Sequence, residues 1–155
     1  MARFAEGTVV PVERSRAEIE RIVVRYGAEQ FISGWEHGRA VIGFRCKDRL
    51  VRFELPLPQQ EDFARHPRHT WKKISLEQQT KAYEAECRRR WRCLALAIKA
   101  KLEVVEAGIA TFEEEFLAHI VLPGGATFGQ WATKALPEAY ASGRMPPLLP
   151  PGPSG

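Results

Sequence analysis

Apolar residues recur along this chain with two different periods, and the switch between them divides it into elements. Ile19, Ile22, Val23 and Tyr26 follow helical spacing. They predict a first helix that begins at Ser15, where "SRAE" fits a capping box, and ends at Gly27. The period then falls to two. Three strands are predicted near 30–36, 39–46 and 49–55, and the short connections "EHGR" and "CKDR" pair them as an antiparallel meander. Ala40, Ile42, Phe44 and Cys46 share one face of the second strand; Val51, Phe53 and Leu55 share one face of the third. Arg45, Lys47, Arg52 and Glu54 fall on the opposite face, with Arg49 at the turn. Pro56 and Pro58 close the third strand.

Residues 57–74 form a polar connection without a period, long for a compact domain. Helical spacing returns at "SLEQ", a second capping box at Ser75. Tyr83, Cys87, Trp91, Leu94, Ile98, Leu102 and Val105 then carry a long helix to Ala107, where Gly108 stops it. "TFEE" at Thr111 and "TFGQ" at Thr127 start two more. One carries Phe112, Phe116, Leu117 and Ile120 before "LPGG". The other runs from Phe128 to Leu136, with breaks at Pro137 and Gly143. The order predicts one α+β domain over residues 1–144. The proline-rich tail, 145–155, is expected to be extended.

With 155 residues, 45% of them apolar, the chain has enough apolar side chains for one core without disulfides or metals. No apolar run approaches the roughly 18 residues a membrane span needs, and the N-terminal apolar stretch is short for a signal peptide. A cytoplasmic protein is expected. Cys46, Cys87 and Cys93 lack the spacing of a zinc site and read as buried free thiols.

The net charge of +4 is unevenly spread: residues 65–101 hold eleven Lys or Arg against three Glu. Such concentration points to an anionic partner. No nucleophile elbow, phosphate loop, zinc-protease motif or dinucleotide fingerprint is present. His66 and His69 read as solvated loop residues, the glycine pair of "LPGG" as a turn, and Glu113, Glu114 and Glu115 as partners of a helix dipole. No catalytic residue, cofactor or metal is therefore predicted. On the long helix, Arg88, Arg92 and Lys99 follow i, i+4, i+11 spacing, with Arg89 beside that row and Arg90 and Lys101 on a further flank. The row suits phosphates, and the sheet cations Arg45, Lys47, Arg49 and Arg52 would extend it. Trp71 or Trp35 would offer a stacking face, whereas Trp91 belongs to the core stripe. The same cations also fit an ordinary solvated helix side, accompanied by Glu84, Glu86 and Glu103.

The segments "VPVERSRAEIERIVVRYGAEQF", "VRFELPLP", "RRRWRCLALAIKAKLEVVEAGIATFEEEFLAHIVLPGG" and "MPPLLP" resemble a family of small uncharacterised proteins of tailed phages and prophages, over Thr8 to Pro150. The resemblance implies a phage accessory protein working inside a bacterial cell and brings no catalytic residue with it. A three-stranded meander followed by a long basic helix is also similar in layout to the core of phage single-strand annealing proteins. Those form rings or filaments around single-stranded DNA. That likeness implies an oligomer with single-stranded DNA as partner; no membrane partner is expected, because no apolar run is long enough to span one. Double-stranded RNA-binding domains share the element order, but their basic motif at the helix start is missing here. The alternative is a homo-oligomeric phage accessory or structural module without nucleic-acid binding, its tail docking on a neighbour.

Overall fold

The computed structural model describes residues 2–147, with side chains from residue 12 onward. Its order is α1 (Ala2–Arg25), β1 (Gln30–Glu36), β2 (Arg39–Cys46), β3 (Arg49–Pro56), α2 (Leu76–Glu106), α3 (Phe112–Phe116), α4 (Phe128–Ala132) and α5 (Leu136–Ser142). This is the α+β arrangement read from the sequence. The strands form one antiparallel sheet in the order β1-β2-β3. Both hairpins turn on two residues at positive φ, His37–Gly38 and Lys47–Asp48, which matches the twist of the strands they join. Register follows from these turns: Phe31 lies opposite Phe44, and Ile42 opposite Phe53.

The core forms where α1 and α2 cover the sheet face of Ala40, Ile42, Phe44, Val51 and Phe53. α1 contributes Val12, Ile19 and Val23; α2 contributes Cys87, Trp91, Ala95, Ile98 and Leu102. Ser75 caps α2 through a reciprocal bond with Gln78. α3 closes one end, with Phe116 edge-on to Phe44 and Phe53 at centroid distances of 5.9 and 6.3 Å. Beyond it the chain pairs against β3 through an isolated bridge of Ile120 with Val51 and covers part of that strand's edge. The glycine pair of "LPGG" makes the turn expected of it, both residues at positive φ.

Four expectations are corrected. Ser15 does not start α1, because buried Val12 extends the apolar stripe past it and the helix continues with the stripe. The third helix stops at Phe116 and continues only as a 3-10 turn, so Leu117 is exposed and Ile120 lies in the bridge. Pro137 opens α5 instead of ending a helix, since a proline in the first turn lacks only an amide that has no helical partner there. Cys93 is exposed, while Cys46 and Cys87 are buried free thiols. Of the tail, 148–155 lie outside the described residues.

Candidate nucleic-acid interface

The sheet divides the predicted cations into two groups. α1 and α2 lie on the face of Ile42 and Phe44, whereas Arg45 and Arg52 leave β2 and β3 from the other face. Sheet and helix cations therefore do not line one groove. Arg45 is half-buried and reaches Gln30 at 3.4 Å. Arg52 donates to Gln130 of α4 at 3.0 Å, and its Nε lies 3.6 Å from Glu54, which also takes Arg39 at 3.2 Å. Arg49 faces Glu113 of α3 at 3.8 Å, and Lys47 stands exposed at its turn. These contacts tie the outer sheet face to the C-terminal helices.

On α2 the arginine cluster splits as well. Arg89 grips Glu86 through Nε and Nη2 at 2.8 and 2.6 Å. Arg90 shares that carboxylate at 3.0 Å and donates to the Pro56 carbonyl at 2.6 Å, fastening α2 to the end of β3. Hydrogen bonds from the two arginines hold the Glu86 carboxyl down to about 2, and the same pairing raises Arg89 above its usual value. Lys101 is tied to Glu115 of α3. Arg88, Arg92 and Lys99 are exposed and have no hydrogen bond or ion pair among the described residues.

The free row runs beside α1. Glu106 lies 18 residues, or five helical turns, beyond Arg88 and so on the same side of α2, and it accepts a hydrogen bond from Tyr26 at the end of α1. Arg14, Arg21 and Arg25 occupy the solvent stripe of α1 with i, i+7, i+11 spacing, and all three are exposed. The outer surface of the helix layer thus carries six exposed cations in two rows, with Glu18 between Arg14 and Arg21 on the α1 stripe and Glu84, Glu103 and Glu106 as acids along α2. The α1 stripe escaped the sequence reading, although its spacing was as visible as that on α2.

Trp91 is in the core, as expected; Trp35 and Trp71 are 68% and 76% exposed. A groove of about 820 Å³ opens between α1, the β1–β2 hairpin and α2, lined by Val12, Ser33, Trp35, Leu57, Tyr83 and Trp91 among others. Burial pushes the Cys87 thiol up and the Tyr83 hydroxyl to about 12, so both keep their protons near neutral pH. Among the described residues no group of three or more His, Cys, Asp or Glu gathers as a metal site, and no helix is long and apolar enough to cross a membrane. Compared with protein families, curated proteins and solved structures, the chain finds no match in any of the three.

Proposed function

We propose that this protein is a non-enzymatic nucleic-acid-binding protein of phage DNA metabolism that holds single-stranded DNA on the outer surface of its helix layer. One observation carries the reading: Arg88, Arg92 and Lys99 stand in a row without acidic partners, beside the exposed Arg14, Arg21 and Arg25. A charge already neutralised by a carboxylate gains little from a phosphate, whereas each free cation that meets one releases a condensed counterion. The phage context is supplied by the sequence resemblance alone. Fluorescence anisotropy of labelled oligonucleotides across a salt series tests the proposal. The wild type binds at about 50 mM salt, with affinity falling steeply as salt rises, and R88E/R92E/K99E loses binding while staying folded. No binding by the wild type under those conditions sinks the reading.

Assembly into an oligomer belongs to the same proposal. β1 pairs only with β2 among the described residues, and its free edge carries exposed Ile32 and Trp35. An open apolar edge is a template for a second chain. Light scattering should find a multimer that I32K dissociates; a monomer in both proteins rejects this part. The same edge is what favours the second reading, a homo-oligomeric module without nucleic acid, for which I32K-sensitive assembly would accompany absent oligonucleotide binding.

A further inference from the structure

Residues 64–74, between β3 and α2, close into an arch whose backbone is held by its own hydrogen bonds. His66 N donates to Lys72 O at 2.9 Å and Ile74 N to Ala64 O at 3.2 Å, with Arg65 and Lys73 as bridge partners. Within it, Lys72 N donates to His69 O at 2.8 Å and Arg65 Nη1 to Thr70 O at 3.2 Å. His66 Nδ1 accepts the backbone N–H groups of Arg68 and His69 at 3.1 and 3.2 Å. The base of the arch is fastened to α2 by Gln79, which donates to Ile74 O at 3.2 Å. A connection without sequence period is therefore an ordered element, with the backbone N–H groups of His66, Arg68, His69, Lys72 and Ile74 paired inside it.

What the arch presents outward is selective. It holds four Lys or Arg and two His, and no Asp or Glu occurs from Phe63 to Leu76. Arg68, Lys72 and Lys73 are exposed without an ion pair among the described residues. Trp71 is its one exposed large apolar side chain, 76% exposed. The rings form a short series, His66 stacked on His69 at 5.1 Å and His69 tilted against Trp71 at 5.7 Å. A flat apolar ring among unpaired cations matches a ligand that is itself flat and apolar between anionic groups. A nucleotide has that alternation, and its base offers a face only when it is unpaired. A lipid surface would also attract tryptophan and lysine, but within residues 64–74 Trp71 is the one exposed large apolar side chain.

We infer that the arch is a stacking platform for an unpaired nucleobase, with Trp71 against the base and Arg68, Lys72 and Lys73 on the flanking phosphates. This rests on the nucleic-acid reading above and adds the element that distinguishes single strands from duplex. The two sites connect: Ser75 follows the arch directly, and Arg88, Arg92 and Lys99 descend one side of α2 beyond it, past Lys81, which is paired with Glu77 at 3.4 Å. Between Leu76 and Lys99 the helix axis covers about 35 Å at 1.5 Å per residue.

The test uses the full chain, an oligothymidylate, a duplex of equal length, and vesicles containing phosphatidylserine. W71A should weaken oligothymidylate binding about fivefold to 150-fold, the range for one lost base–aromatic stack, while W71F keeps most of it. Duplex affinity and the salt slope should stay unchanged in W71A, whereas R88E/R92E lowers both. If the wild type binds oligothymidylate and W71A binds it equally well, the arch inference fails while the function stands. If the wild type binds neither nucleic acid, both fall. A W71A defect confined to the vesicles overturns the inference in favour of a membrane contact.

Discussion

Arg89 forks onto Glu86, its Nε and Nη2 2.8 and 2.6 Å from the carboxylate, while its sequence neighbour Arg88 has no acidic partner among the described residues. Two adjacent arginines are thus unequal as phosphate ligands. Each phosphate contact contributes roughly 0.7 to the slope of log affinity against log salt for a single strand. R88A/R92A should therefore flatten that slope by about 1.4, and R89A by less than half of this. A salt titration of wild type and both variants checks it; a flattening of about 0.7 in R89A, half that of R88A/R92A, would mean that the fork opens on binding.

The same fork predicts an acid limb of stability. Glu86 titrates at about 2 in the folded protein, against an ordinary value of 4.5. A depressed carboxyl contributes stability fully present above the higher value and lost as pH falls toward the lower one. Wild type and E86Q should differ most at neutral pH and converge between about 4.5 and 2, followed by urea unfolding at several pH values. A constant difference across that window would assign the effect to packing.

His119 stacks on Phe53 with ring centroids 4.0 Å apart. Burial, with the charge of Lys101 beside it, lowers its pKa below the ordinary 6.5, against an opposing hydrogen bond with the Arg52 backbone. The unfolded chain then binds the proton more readily, so stability is full above 6.5 and declines as pH falls through the lowered value. H119F keeps the stack without the titration. Its unfolding free energy should stay flat between pH 8 and 5, where that of the wild type falls, apart from the changes both proteins share.

The strands were legible to within a residue because two signals coincide there, a period of two and a pair of two-residue turns. α2 was legible because Ser75 and Gly108 bracket an unbroken apolar stripe. The errors came where one local signal has two meanings. A Ser-x-x-Glu match occurs inside α1 because nothing in four residues shows that Val12 will be buried, and Pro137 fits a helix's first turn as readily as its end. For the site, i, i+4 spacing revealed the row of Arg88, Arg92 and Lys99. The Glu86 fork, at three and four residues from Arg89 and Arg90, was readable by the same rule. That Arg45 and Arg52 lie across the sheet from α2 follows from the strand alternation already drawn. The arch at 64–74 was not legible, since its order rests on irregular backbone bonds that leave no period.

Gly129 offers a way to disturb the sheet side without touching the helix layer. A Cβ there would lie 2.7 Å from the Ala118 carbonyl oxygen and 3.2 Å from the Ala118 Cβ, and the nearest atom is backbone, which cannot swing aside. α4 would have to lift from the turn at Leu117–His119, pulling Gln130 away from Arg52 and Glu54. G129A should thus cost about 1–3 kcal/mol in urea unfolding, the usual range for overpacking. G34A, with nothing within 4 Å of its added methyl, serves as the control and should change stability far less. Because α4 contacts the sheet from the side of Arg52, a folded G129A should bind oligonucleotide like the wild type. Weakened binding with intact α1 and α2 would return Arg45 and Arg52 to the interface and displace the helix layer as the site.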